Sequence, residues 1–189
     1  MFIATERTPN PATLKFLPGR TVMTDTQTAN FADAEAAQVS PLATALFGLP
    51  GVSGVFFGGD FISVTVAEPD SAWAELKPQI LGAIMEHFTT GAPLFHDDAA
   101  PVAAAAGVGD DPEDEAIVNQ IKDLLDSKVR PAVAQDGGDI VYQGFKKGVV
   151  YLHMQGACSG CPSSTMTLKN GIENLLRHYV PEVSAVEAV

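Results

Sequence analysis

The alternation of hydrophobic and polar positions predicts four short strands in the first half of the chain. Each segment alternates or is rich in β-branched and aromatic residues, and each is followed by proline or glycine within four residues. Gly58 and Gly59 predict a tight hairpin turn, because glycine supplies the positive φ angles that such turns require. The predicted strands cover residues 2–5, 13–17, 52–57 and 61–66.

Two helices are predicted in the same half. Ser40 is followed by a proline, a pair typical of a helix N-terminus, and this helix reaches Phe47. Apolar residues between Trp73 and Phe88 recur at helical spacing and predict a longer helix. Pro78 lies inside that pattern, so we expect the helix either to kink there or to begin later.

The second half of the chain predicts the order α-β-β-α-β. An apolar stripe from Ile117 to Val129 has helical period, and Pro131 is expected to end that helix. The remaining predicted elements are strands at 140–145 and 149–154, a helix from Pro162 and a last strand at 183–189.

A segment of small and acidic residues separates the two halves. Residues 96–115 carry 7 acidic and no basic side chains, which is over half of the net charge of −12. Such a segment cannot bury enough apolar surface to offset the entropy lost on ordering. We therefore predict a flexible acidic linker at 95–111 between domains at 1–94 and 112–189. The predicted fold class is α+β, with two small α+β domains.

Composition and charge exclude several classes of protein. An excess of 23 acidic over 11 basic residues argues against nucleic-acid binding, which requires a basic surface. No run of 18 apolar residues is present, so no membrane contact is expected. The first residues resemble neither a secretory signal nor a transit peptide. With 2 cysteines, the chain is expected in the reducing cytoplasm, or in the mitochondrial matrix if a presequence was removed.

The two thiols of the chain, Cys158 and Cys161, stand in one Cys-Ser-Gly-Cys-Pro segment. They are the candidate metal ligands. This spacing lets both sulfur atoms reach one metal centre, and Gly160 permits the sharp turn between them. Pro162 suits the first position of a helix, whose positive N-terminal end would favour the thiolate form.

Spacing alone leaves three functions open, namely an iron–sulfur cluster, a structural zinc ion or a dithiol–disulfide pair. Both metal sites commonly need four ligands, and a symmetric second copy could supply the missing two. His153 is a weaker candidate ligand. The acidic double-glycine turn at 136–139 either lies near the cysteine loop or simply enters a strand. The turn at 8–11 is either a recognition surface or a rigid turn.

Several longer motifs resemble the NifU-like (Nfu) family of iron–sulfur cluster carriers and together cover nearly the whole chain outside the linker. The segments similar to its C-terminal domain are Arg130-Pro131, Asp136-Gly137-Gly138-Asp139, Gly156 to Ser164, Thr167-Leu168-Lys169, Gly171-Ile172-Glu173 and Pro181-Glu182-Val183. Those similar to its N-terminal domain are Thr8-Pro9-Asn10-Pro11, Leu14 to Gly19, Val55 to Gly58 and Asp60-Phe61-Ile62.

The resemblance implies that Cys158 and Cys161 bind a 4Fe–4S cluster, in preference to 2Fe–2S, at the interface of a homodimer. It also implies that the chain receives the cluster from upstream assembly machinery and transfers it to apo-proteins. No nucleophile–base pair, phosphate loop or H-E-x-x-H motif is visible, so no enzymatic activity is expected. The alternative function is a thiol–disulfide oxidoreductase that uses the same cysteine pair.

Overall fold

The chain forms two compact units, Met1–Ala103 and Ala104–Val189, each of which combines helices with one β-sheet. The structure is a computed structural model that describes residues 2–24, 27–96, 107–160 and 162–189. The prediction of two small α+β units is confirmed. No described helix is both long enough and apolar enough to cross a membrane.

The first unit is an antiparallel five-stranded sheet in the order β1-β2-β5-β4-β3, with two helices packed on one face. Its core contains the inward-facing residues of the strands, such as Phe16 and Ile62, together with Leu42, Ile80 and Ile84 of the helices. Its elements are β1 (Ala4–Arg7), β2 (Thr13–Leu17), β3 (Ala29–Phe31), α1 (Pro41–Phe47), β4 (Val52–Phe57), β5 (Ile62–Val66) and α2 (Pro69–Thr90).

Local sequence signals explain most of these boundaries. The Ser40 side chain accepts a hydrogen bond from the Ala43 amide at 3.2 Å and caps α1 as predicted. The helix α2 begins at Pro69 and contains Pro78, so the expectation of a later start is wrong. The strand β3 was not predicted, because three residues are too few to show a period.

The second unit has a four-stranded mixed sheet in the order β6-β7-β8-β9. The central pair β7–β8 is antiparallel, whereas β6 and β9 run parallel to their neighbours. Its elements are β6 (Gly109–Asp110), α3 (Glu115–Leu124), a π-helical turn (Leu125–Val129), α4 (Arg130–Gln135), β7 (Gly138–Lys146), β8 (Val149–Gly156), α5 (Pro162–Tyr179) and β9 (Ala185–Ala188).

Pro131 does not end the first helix of this unit, contrary to the prediction. The chain passes through the π-helical turn and continues as α4 to Gln135. The Arg130 amide donates to the Leu125 carbonyl, five residues back, so the helix is locally widened. Pro131 then occupies the first turn of α4, where its missing N–H costs little. This arrangement places Arg130 close to the start of β7.

The end of the predicted linker is attached to the second unit. Gly109–Asp110 forms β6 alongside β7. One carboxylate oxygen of Asp110 accepts hydrogen bonds from the Tyr142 hydroxyl at 2.5 Å and the Phe145 amide at 3.1 Å. The Lys122 ammonium group lies 3.9 Å from the other oxygen. Residues 97–106 of the linker lie outside the described residues, so the proposed boundaries at 94/95 and 111/112 stay a prediction.

The contacts of Asp110 predict that a fragment of residues 104–189 is more stable than one of residues 112–189. Loss of two hydrogen bonds to a carboxylate should lower the free energy of unfolding by about 1–3 kcal/mol. Urea unfolding followed by circular dichroism measures the difference. Asp110→Ala in the longer fragment should reproduce most of it. Equal unfolding midpoints for the two fragments would show that β6 contributes nothing.

Candidate metal centre

The cysteine segment is a loop between the end of β8 and the start of α5. Gly156, at the end of β8, has a φ of +64°, and Gly160 has a φ of +79°. Both values lie in the left-handed region that glycine adopts without strain, so the predicted role of Gly160 is confirmed. Cys158 lies between these two glycines. Cys161 lies outside the described residues.

Hydrogen bonds within the loop fix the backbone around Cys158. The amide and hydroxyl of Ser159 both donate to the Gly156 carbonyl, at 3.1 and 2.9 Å. The Thr165 hydroxyl, from the first turn of α5, donates to the Cys158 carbonyl at 3.0 Å. The loop is therefore tied to the strand before it and to the helix after it.

The acidic double-glycine turn forms one wall of this loop. The same turn also leads into β7, so it both lies near the cysteine segment and enters a strand. Gly138 pairs with Gly156 at the ends of β7 and β8, and the Ala157 amide donates to the Gly137 carbonyl at 3.2 Å. A Cβ atom on Gly138 would lie 2.7 Å from the Cys158 sulfur atom. Only glycine at this position lets the strand approach the sulfur so closely.

The Cys158 side chain packs into the core of the second unit and is only 7% exposed. Burial, together with the smaller effect of the Asp136 and Asp139 carboxylates, raises the pKa of its thiol to about 12. The expectation that the helix N-terminus favours the thiolate form is therefore wrong for Cys158 in the metal-free chain. Desolvation and two nearby negative charges outweigh the positive helix end.

A partly buried ion pair supports the turn from the other side. Asp139 is 4% exposed, and its carboxylate accepts two hydrogen bonds from the Arg130 guanidinium, at 2.9 and 2.8 Å. The same carboxylate accepts from the Ile140 amide at 2.8 Å. The hydrogen bonds to Asp139 hold the pKa of Arg130 above its ordinary value. Arg130 thus joins α4 to the first residues of β7 and partly neutralises the charge beside Cys158.

The chemistry of the Cys158 thiol fits a soft metal ion or an iron–sulfur cluster. Metal coordination deprotonates a thiol outright, so binding here would release the proton that burial retains. The sulfur must also turn towards solvent, because a side chain with 7% exposure cannot reach a bulky inorganic group. The described residues contain no group of three or more His, Cys, Asp or Glu that could hold a metal ion.

Arg130 and Thr165 contact the turn and the loop but were not identified as functional from the sequence. The candidate ligand His153 contacts another part of the chain. Arg130 stands in a segment similar to the family's C-terminal domain but has no role predicted from its chemistry, and Thr165 is one hydroxyl among several in its segment. No local signal predicts their partners, because both contacts depend on the tertiary fold. The Nδ1 atom of His153 lies 2.6 Å from the Val189 carbonyl, so this side chain interacts with the chain beside β8.

Two family models match the chain, one in each unit. Residues 3–91 match a family described as scaffold protein Nfu/NifU N terminal. Residues 121–187 match a family described as NifU-like domain. The second match contains the cysteine loop and the double-glycine turn.

Curated relatives are similar along the whole chain. The human protein named NFU1 iron-sulfur cluster scaffold homolog, mitochondrial, is 48% identical over 189 residues, which cover 100% of this chain and 72% of the relative. The Arabidopsis thaliana protein named NifU-like protein 4, mitochondrial, is 50% identical, with 99% of this chain and 65% of the relative covered. The chain thus spans about two thirds of the length of these proteins.

One solved structure shows a partial likeness. The solution NMR structure of a NifU-like protein from Saccharomyces cerevisiae matches 52% of this chain and 87% of its own, at 25% identity and a TM-score of 0.44.

The close approach of Gly138 to the cysteine loop predicts that Gly138→Ala destabilises the second unit. The new methyl group would lie 2.6 Å from the Gln155 carbonyl oxygen and 2.7 Å from the Cys158 sulfur. We expect a loss of about 1–3 kcal/mol of unfolding free energy, measured by urea titration of the 104–189 fragment. Gly171→Ala is the matched control, because a Cβ atom on Gly171 meets nothing within 4 Å. It should be neutral or stabilising by up to about 1 kcal/mol.

The buried carboxylate of Asp139 predicts a large effect of Arg130→Met. The substitution leaves a desolvated charge without its guanidinium partner and should cost about 3 kcal/mol in the same urea titration. Arg177→Met is the control, because Arg177 forms an exposed pair with Glu173 one helical turn away, at 3.6 Å. That pair should contribute less than about 1 kcal/mol. Similar losses for both variants would contradict a special role of the Arg130–Asp139 pair.

Proposed function

Since the chain belongs to the NifU-like (Nfu) family, we propose that it is an iron–sulfur cluster scaffold that binds its cluster through Cys158 and Cys161. Names of the human and Arabidopsis relatives support this role, and the cysteine loop supplies the chemistry. The cluster is treated as cargo that the chain receives and passes on, and not as a permanent cofactor.

One observation carries the proposal, namely that the 2 cysteines of the chain stand in one Cys-Ser-Gly-Cys-Pro segment. Gly138 leaves room for the Cys158 sulfur, and glycines on either side let the loop rearrange. The Arg130 guanidinium is bound to Asp139 and so offsets one of the two carboxylate charges that oppose deprotonation of Cys158. Thiolates are the ligands that iron–sulfur clusters require.

The number of thiols supports a shared cluster. A 4Fe–4S cluster takes four cysteine ligands, and one chain offers two. Two copies related by a twofold axis would supply four equivalent thiolates without any further ligand. We therefore propose a homodimer that holds one 4Fe–4S cluster between the two cysteine loops, and we favour this cluster over 2Fe–2S.

Transfer to an acceptor requires access to the ligands, and the described structure offers an exposed apolar residue beside them. Met166, next to Thr165 in the first turns of α5, is 65% exposed. A flexible thioether side chain at this position suits contact with a second subunit or with successive partners. We propose that apo iron–sulfur proteins receive the cluster here and that upstream assembly machinery delivers it.

The alternative function is a thiol–disulfide oxidoreductase. Such an enzyme needs an accessible thiol whose pKa is low. Cys158 is buried and its pKa is raised, so the attacking role would have to fall to Cys161. This observation favours a binding role over catalysis. Turnover of a disulfide substrate by the cluster-free chain would support the alternative.

Both compartments considered for the chain are reducing and compatible with free thiols. The human and Arabidopsis relatives carry the word mitochondrial in their names. We propose the mitochondrial matrix, or an equally reducing bacterial-type compartment, in preference to the cytoplasm of a eukaryotic cell.

Anaerobic reconstitution with iron and sulfide tests the shared cluster. We expect about two irons and two sulfides per subunit, because one 4Fe–4S cluster is divided between two chains. Light scattering should show a dimer in the cluster-bound state. Cys158→Ser and Cys161→Ser should each lose the cluster, since serine is a poor ligand for iron. Circular dichroism of the two variants should stay that of the wild type.

His153→Ala serves as the matched control, because this side chain interacts with Val189, and it should keep the full iron content. A monomer with a complete four-iron cluster would contradict the proposal. Retention of the cluster by Cys158→Ser would contradict the assignment of this ligand.

A further inference from the structure

A groove of about 560 Å³ lies in the first unit, between β1, β2 and the N-terminal half of α2. The turn at residues 8–11 forms part of its wall. This turn is a recognition surface if the groove binds a ligand, and only a rigid turn if it does not. The residues that carry the argument are Thr5, Arg7, Pro11, Leu14, Trp73 and Lys77.

Strand pairing places Arg7 on the same face of the sheet as α2. Thr5 pairs with Phe16, and Arg7 pairs with Leu14. Paired residues project from the same face, and Phe16 belongs to the core beneath the helices. The Arg7 side chain therefore lies on the helical face, where Lys77 of α2 lines the same groove.

Two of the basic side chains of this unit, Arg7 and Lys77, line the groove. Residues 1–95 contain four basic side chains within a net charge of −5. Lys15 is buried and pairs with a glutamate, and Arg20 lies over an aromatic ring. Arg7 and Lys77 are exposed and form no ion pair with the described residues. Both line the groove, as does Glu6, whose carboxylate lies 3.7 Å from the Lys15 ammonium group. The lining therefore carries one net positive charge, which favours an anionic ligand.

The wall of the groove is rigid before any ligand binds. The Thr8 hydroxyl donates to the Asn10 carbonyl at 2.8 Å, and the Asn10 side chain accepts from the Ala12 amide at 3.0 Å. The Trp73 indole N–H donates to the Pro11 carbonyl at 3.2 Å, which holds the ring against the turn. A preorganised aromatic and proline surface reduces the entropy lost when an apolar side chain packs on it.

The strand β1 is an edge strand, since β2 is its only neighbour among the described strands. An edge strand presents unpaired N–H and C=O groups to which an extended peptide can add. The free edge and the groove share the residues of β1. A ligand that satisfies both is an extended chain with acidic side chains on one face.

We propose that this groove binds an extended acidic segment of another protein, which pairs with β1 and places its carboxylates at Arg7 and Lys77. The methylene groups of the same acidic side chains would pack on Trp73 and Pro11, which line the groove on the same face. The Debye length of about 8 Å at physiological ionic strength limits repulsion from the more distant acidic residues of this chain. The binding does not depend on the cysteine loop, so it stands apart from the proposed scaffold function.

The single tryptophan of the chain provides a direct readout, because Trp73 lines the groove. The experiment titrates the cluster-free full chain with an N-acetylated peptide of about eight residues that alternates Glu and Val, and follows tryptophan emission. We expect a saturable change in emission. Its midpoint should shift to higher peptide concentration as salt is added.

Charge variants locate the binding site. Arg7→Gln and Lys77→Gln should each weaken binding about threefold, and the double variant about tenfold. Arg20→Gln is the matched control, because it removes a basic side chain of the same unit outside the groove, and it should leave the affinity unchanged. Equal weakening by Arg20→Gln would overturn the proposal, since only the overall charge would then matter.

Modified probes test whether the peptide pairs with β1 and whether the groove prefers a peptide to a small anion or a second copy of the chain. N-methylation of one alternate set of peptide amides should abolish binding, whereas methylation of the other set should not, because only one set can face β1. Indifference to both sets would overturn strand pairing. Equal binding of free glutarate would show a small-anion site and overturn the peptide assignment. A change in emission with protein concentration alone, together with dimer formation, would assign the groove to a second copy.

Discussion

At the start of β7 the backbone of Gly138 runs so close to the Cys158 side chain that no Cβ atom fits between them. This contact exists because β7 and β8 pair up to their last residues, Gly138 and Gly156. The cysteine loop therefore begins against the acidic double-glycine turn, and the hydrogen bond from Ala157 to Gly137 holds it there. The site depends on this strand pairing and would lose its wall if the register changed.

The same packing creates an electrostatic conflict in the metal-free chain. Burial raises the pKa of the Cys158 thiol, and the two nearby carboxylates of Asp136 and Asp139 add to this effect. The Arg130 guanidinium partly offsets this conflict through its two hydrogen bonds to Asp139. A protonated, buried thiol is less reactive than an exposed thiolate.

The two units divide the chemistry of the chain. The two cysteines proposed as ligands belong to the second unit, and Cys158 lies in the loop that follows β8. The first unit contains no cysteine, and the positive charges of its groove lie next to a free sheet edge. Cluster binding and recognition of a partner can therefore vary independently, because they use different elements and different kinds of interaction.

The sequence by itself determined most strands and helices, because hydrophobic period, proline and glycine act locally. It also determined the candidate ligands, because Cys158 and Cys161 are the two thiols of the chain and stand in one short motif. It misplaced the helix end at Pro131, since a π-helical turn is visible only in the hydrogen bonds of the folded chain. The expectation that Cys158 favours the thiolate form was also wrong, because the burial that raises its pKa depends on residues far away in sequence. Only the tertiary structure decided that Arg130, Gly138 and Thr165 surround the loop, and that Arg7 and Lys77 meet in one groove.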